Sequence, residues 1–209
     1  MTKGYWIGLV DVTDPQRYEA YRAANAVAFH KYGARFLVRA GAVEHVEGAS
    51  RSRLVVMEFD DYDTALACYR SGEYQHAIAL RRDASDADLV VIAGYDGPQP
   101  PVSGTIPTIG AKGYWVGHVD VTEPAGYQAY MAADMAPIGA HGGHFLVRGG
   151  TRELVEGRAR SRSIVLAFPS YQAALACYRS EAYQAAAALR QGRAAFDLLI
   201  CEGYDGPQP

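Results

Sequence analysis

Lys3-Gly4-Tyr5-Trp6 recurs as Lys112-Gly113-Tyr114-Trp115, and Gly94-Tyr95-Asp96-Gly97-Pro98-Gln99-Pro100 recurs as Gly203-Tyr204-Asp205-Gly206-Pro207-Gln208-Pro209, both at an offset of 109. Residues 3–100 lie on 112–209 without a gap, and 53 of the 98 aligned positions are identical. The chain of 209 residues is therefore one module written twice, and any fold it adopts must satisfy two near-identical halves at once. Between them, residues 100–110 (PPVSGTIPTIG) are rich in Pro, Gly and Thr, without helical or strand periodicity, and read as a linker. The expected division is a first module over 1–99, the linker over 100–110 and a second module over 111–209. A linker of about 11 residues reaches roughly 35–40 Å when extended, against a radius of gyration near ~13 Å for such a module. The two modules can thus pack face to face.

Within a module the hydrophobic period switches between two and 3.6. Tyr5 to Val12 is aromatic and β-branched and predicts a strand. Asp14 or Thr13 followed by Pro15 predicts a helix start, and Tyr18, Tyr21, Asn25, Phe29 and Tyr32 follow at helical spacing until Gly33. A second strand is predicted from Arg35 through Gly41 toward Val46, and a third over Leu54–Phe59. A helix from Tyr62 to Arg82, bent at Ser71-Gly72, and a last strand over Leu89–Ile92 complete the order βαββαβ. That order predicts the ferredoxin-like α+β fold, a four-stranded antiparallel sheet with both helices on one face. The other face stays bare, and two modules on one chain can close their bare faces on each other. The expected architecture is two ferredoxin-like modules packed as an intramolecular barrel, a pseudo-dimer that can also pair further as a homodimer.

The opening Lys-Gly-Tyr-Trp, Phe36-Leu37-Val38-Arg39 with Gly41, Arg51-Ser52-Arg53, Ala67-Cys68-Tyr69-Arg70-Ser71 and the closing Gly-Tyr-Asp-Gly resemble the uncharacterised domain family DUF 1330 in both copies. The resemblance implies the dimeric α+β barrel superfamily, here with the partner fused. It implies no activity of its own, and wider relatives acting on small molecules in a barrel cavity supply analogy alone.

Alternation along the first strand of the second module groups Tyr114, Val116, His118 and Asp120 on one face, and the next strand groups His144, Leu146 and Arg148. Both sets are expected to face the inter-module cavity, where His118, Asp120, His144 and Arg148 would converge. The first-module counterparts are Leu9, Asp11, Arg35 and Arg39, so both histidines belong to the second module alone. A histidine can move a proton near neutrality, a carboxylate can orient it, and an arginine can hold a carboxylate or enolate. The expected catalytic groups are His118, His144 and Asp120. Arg148, Arg39, Tyr114, Tyr5, Asp134 and Asn25 are expected to bind substrate; Asn25 and Asp134 alternatively serve as buried links between helix and sheet. His118, His141 and His144 together raise the alternative of a metal site, or a haem, although no metal or cofactor is expected. Arg51 with Arg53, and Arg160 with Arg162, stand at the mouth of the third strand, where they either pair with Glu47 or Glu156 or select anionic substrates; Cys68 and Cys177 are expected to be inert core thiols.

A net charge of −3, without a basic run, argues against nucleic acid, and no apolar stretch is long enough to span a bilayer. No signal peptide is evident, so the expected location is cytoplasmic. No Walker A loop, GxGxxG, GxSxG elbow or HExxH helix points to a nucleotide, dinucleotide or other cofactor. The expected function is cofactor-independent acid/base chemistry, of isomerase, lyase or hydrolase type, on a small anionic or carbonyl-bearing metabolite in the inter-module cavity. The alternative is a non-catalytic small-molecule-binding or interaction module.

Overall fold

A computed structural model describes residues 2–39, 41–102 and 110–209; most of the expected linker, 103–109, lies outside the described residues. The first half runs β1 (Gly4–Val12), α1 (Pro15–Lys31), β2 (Arg35–Arg39), β3 (Val43–Glu47), β4 (Arg53–Phe59), α2 (Tyr62–Arg70), α3 (Gly72–Arg81) and β5 (Ser85–Ala93). The second half runs β6 (Gly113–Val121), α4 (Pro124–Ala133), α5 (Met135–Ala140), β7 (His144–Arg148), β8 (Arg152–Glu156), β9 (Arg162–Phe168), α6 (Tyr171–Arg179), α7 (Glu181–Ala188) and β10 (Ala194–Glu202).

Local chemistry sets the helix boundaries. Asp14 caps α1 by accepting from the Gln16 and Arg17 amides, with Pro15 in the first turn. The expected bend at Ser71 is a full break: Ser71 is extended and its hydroxyl caps α3 at the Tyr74 amide. Ser180 repeats this at Tyr183.

The expected second strand is two strands. β2 ends at Arg39, Gly41 follows at φ 109°, and β3 leaves its own module. The sheets therefore have five strands rather than four, in the orders β2-β4-β1-β5-β8 and β3-β10-β6-β9-β7, so each half lends one strand to the other. The lent strands are pinned by mirrored contacts. Arg70 binds Glu153, Arg81 grips both oxygens of Glu156, and the Tyr69 hydroxyl donates to the Val155 carbonyl. Across the pseudo-twofold, Arg179 binds Glu44, Arg190 binds Glu47 and Tyr178 donates to Val46.

The tail motif clasps the opposite half. Gln99 receives the Phe145 amide at 2.7 Å and donates to the Phe145 carbonyl at 3.0 Å, while Gln208 does the same to Phe36 at 2.7 and 3.2 Å. Both targets lie on edge strands, whose unpaired backbone groups these side chains satisfy.

Three cores result. One lies between sheet and helices in each half, around Trp6 and around Trp115. The third joins the inner faces of both sheets, with Ile7, Val56 and Ile92 against Val116, Val165 and Leu199. The bare faces do close on each other, and apolar side chains occupy much of the space between them.

Candidate functional site

Of the four residues expected to converge, His118 and Asp120 share a cavity, while His144 and Arg148 lie apart from it. On β6 the alternation holds: Tyr114 and Val116 lie in the inter-sheet core, and His118 follows on that face. On β7 it fails, because a bulge between Phe145 and Val147 shifts the register against β9. Val147 then takes the inter-sheet core and Arg148 turns to the helix side. Arg39 is turned the same way by the matching irregularity between Phe36 and Val38. His144 is exposed and pairs with Ala167, whereas His118 pairs with Ser163. Four residues along β9 separate these partners by about 13 Å. His141 is held separately, with Nδ1 2.9 Å from the Pro137 carbonyl, and no group of three metal-ligating side chains forms among the described residues.

His118 is 5% exposed and its Nδ1 lies 3.2 Å from the Ser163 hydroxyl. In the first half the same cross-strand pair is Leu9 and Leu54, so a polar pair has replaced an apolar one. Burial pulls the imidazole down to about 4, which keeps it neutral at neutral pH. His118 and Asp120 line a small inter-sheet cavity of about 280 Å³. Asp120 is bound there by the Ser161 amide and the Arg160 guanidinium, which lower its carboxyl. Arg51 and Arg160 pair with Asp88 and Asp197, not with Glu47 and Glu156 as expected. Tyr5 and Tyr114 are core residues of the inter-sheet layer, with the Tyr5 hydroxyl bonded to Glu58. The three thiols are buried, and burial pushes the Cys68 thiol up to about 12.

A larger space lies on the other side of the first sheet. Between it and α1 and α3 is a cavity of about 630 Å³. Its floor is Trp6, Gly8 and Met57, its roof Tyr18, Tyr21, Asn25 and Tyr74, and its mouth Arg39, Arg53 and Tyr204. Tyr204 comes from the second half; its amide bonds to the Leu37 carbonyl, so the site needs both halves. The Tyr21 and Tyr74 hydroxyls bond to each other at 3.0 Å, and burial raises the Tyr18 phenol to about 12. Arg81, itself buried, lies 5.0 Å over the Tyr21 ring and is neutralised by Glu156. Arg39 stacks at 4.3 Å on Phe36 and 5.7 Å from Tyr204, and Arg53 stands 5.8 Å over Tyr18. Among the described residues neither has a carboxylate partner. Asn25 is 7% exposed and its side-chain amide bonds to no described residue. A buried amide and two uncommitted guanidiniums around one space suit an anionic or carbonyl-bearing guest.

The second half has closed its counterpart to about 20 Å³. The equivalents of Trp6, Tyr18, Tyr21, Arg39, Tyr74 and Arg81 are retained as Trp115, Tyr127, Tyr130, Arg148, Tyr183 and Arg190. Ala87, however, is replaced by Phe196 and Ala26 by Met135. Arg148 donates to Met135 Sδ at 3.3 Å and the Met131 carbonyl at 3.2 Å, and lies 3.8 Å from Asp134. Burial raises the Asp134 carboxyl to about 7 despite Arg148 and Arg190. Asn25, within α1, and Asp134, at the break between α4 and α5, thus share a repeat position in cavities of unlike size. Arg81 and Ala87 escaped the sequence reading; for Ala87 the signal lay in the repeat, at a position where one copy is small and the other large.

Residues 3–95 and 112–204 each match the family described as a domain of unknown function (DUF1330). No curated protein matches the chain. Among solved structures, it is similar to an anthrone oxidase-like protein at 15% identity and TM-score 0.57, covering 100% of this chain and 94% of that one. It is also similar to a dye-decolorizing peroxidase from Bacteroides thetaiotaomicron at 8% identity and TM-score 0.50, covering 98% and 94%. A dye-decolorizing peroxidase variant from Rhodococcus jostii in complex with heme is similar at 7% identity and TM-score 0.50, covering 96% and 93%. At such identities the likeness establishes the fold, the dimeric α+β barrel.

Proposed function

We propose, for a chain that belongs in both halves to the DUF1330 family, that its first half binds a small anionic or carbonyl-bearing organic molecule between sheet and helices. The contrast between about 630 Å³ in one half and about 20 Å³ in the other carries this reading. A duplicated framework that keeps one space open and fills its twin has a use for the open one. Arg39 and Arg53 supply positive charge at the mouth, Asn25 a neutral donor and acceptor at the roof, and the aromatic rings an apolar wall. These groups bind and polarise. The one carboxylate in the lining, Asp88, is committed to Arg51, so the cavity supports binding better than proton transfer.

One structural neighbour holds heme, and this cavity does not suit that group. Its lining offers neither imidazole nor thiolate, Met57 is 1% exposed in the floor, and burial disfavours a Tyr18 phenolate. The inter-sheet cavity beside His118 is less than half as large.

Titration calorimetry with small aromatic and aliphatic carboxylates tests the proposal. We expect one site per chain and at least a tenfold loss of affinity in Arg39→Met; equal binding by that variant sinks the reading. A second reading keeps His118 as a proton-moving group in the inter-sheet cavity, supported by a buried Nε2 that has no hydrogen-bond partner among the described residues. In that case His118→Leu loses the ligand and Arg39→Met does not.

A further inference from the structure

The side chains that plug the second cavity occupy the place where, by the repeat, a ligand would sit in the first. The Phe196 ring lies against Gly117, where an added Cβ would stand 3.3 Å from the ring tip. The Arg190 guanidinium covers the same ring at 4.1 Å. A side chain at Gly117 would press on the ring, which would have to give by a few tenths of an ångström. No ring stands over Gly8. An added Cβ would meet nothing closer than a Leu89 methyl at 3.4 Å, and glycine within a strand costs stability. What Gly8 does is leave the floor open, beneath an Arg81 fixed by Glu156 as Arg190 is fixed by Glu47. The other end of the plug is polar. Arg148 donates to the Met135 sulfur and faces the Asp134 carboxyl, whereas Arg39 has neither, because Ala26 and Asn25 stand there.

We infer that the plug of the second half is a built-in likeness of the first half's ligand, an aryl carboxylate whose ring lies between Gly8 and Arg81 and whose carboxylate meets Arg39. The inference rests on the binding reading above and adds the class of ligand to it. The ring requirement comes from Phe196 under Arg190, where a flat π face meets a guanidinium. The carboxylate requirement comes from a guanidinium that has an acceptor and an acid in one half and, among the described residues, only aromatic faces in the other.

The test uses the full chain and three probes of one size: 2-naphthoate, decahydro-2-naphthoate and 2-naphthalenemethanol. Wild type is expected to bind 2-naphthoate at one site, at least tenfold tighter than either of the others. Ala87→Phe, which copies the second half, is expected to abolish that site while the circular dichroism spectrum persists. Phe196→Ala with Met135→Ala and Asp134→Asn, which copies the first half at all three positions, is expected to raise the stoichiometry from one to two; if that triple variant does not fold, Ala87→Phe still decides. Binding that is lost in Arg39→Met but indifferent to aromaticity overturns the inference and leaves the binding reading standing. No binding of any carboxylate to wild type sinks both.

Discussion

Two buried ionisable side chains pull stability in opposite directions with pH. Asp134 has its carboxyl raised to about 7 in the fold. The folded state therefore holds a proton that the unfolded chain releases near its ordinary value of 3.8, and stability falls as pH rises between about 4 and 7. His118, lowered to about 4, does the reverse: the unfolded chain takes up a proton first, and stability falls as pH drops from 6.5 toward 4. Asp134→Asn, which installs the residue of the first half, is expected to stabilise the protein at pH 8 by roughly 1–4 kcal/mol and little at pH 4. His118→Leu with Ser163→Leu, which restores the Leu9–Leu54 arrangement, is expected to remove the acid-side loss. Urea unfolding at pH 4, 6 and 8 reads both. Parallel curves for wild type and the two variants would show that neither group titrates as its burial dictates. The sequence placed His118 on the face toward the inter-module cavity, where it lies, and left Asp134 open between a buried link and a substrate-binding group.

At the scale of elements, the repeated tail is a clasp rather than a surface ornament. Gln208→Ala leaves the Phe36 amide and carbonyl without their side-chain partner and is expected to cost about 1–3 kcal/mol; Gln99→Ala should act alike on Phe145. Gln208→Glu keeps an acceptor but loses the donor, and is expected to fall between. Urea midpoints measure this, and an unchanged midpoint in Gln208→Ala removes the clasp from the account. Helix starts, the interruption at Ser71 and the strand positions were legible because caps and periodicity are local. The exchange of β3 and β8 was not, since an alternating strand carries no mark of the sheet it joins. The bulges in β2 and β7 were equally silent. They turned Arg39 and Arg148 from the inter-sheet layer to the helix side and dissolved the expected constellation.

For the whole molecule, each sheet takes one strand from the other half, and the third core belongs to both. Covalent continuity is then dispensable once the halves have formed. A protease site placed between residues 102 and 110 is expected, after cleavage, to give two fragments that co-elute as one species and melt within a few degrees of the intact chain. Separation of the fragments in native buffer would mean that the shared sheets contribute less than their burial implies. Among the described residues no helix is long and apolar enough to cross a membrane, in keeping with a surface whose apolar sheet faces are spent on each other.

The sequence by itself determined the duplication, the fold class of each copy and the mutual closure of the two sheets, because a repeat, a change of period and a bare apolar face are all written along one strand or helix at a time. It also contained the plug, since Ala87 against Phe196 and Ala26 against Met135 can be read from the aligned copies. Only the tertiary structure decided that the larger open space lies under the helices of the first half and the smaller one between the sheets. That outcome depends on strand exchange and on one-residue register shifts, which move a side chain through a sheet while leaving the local pattern of residues unchanged.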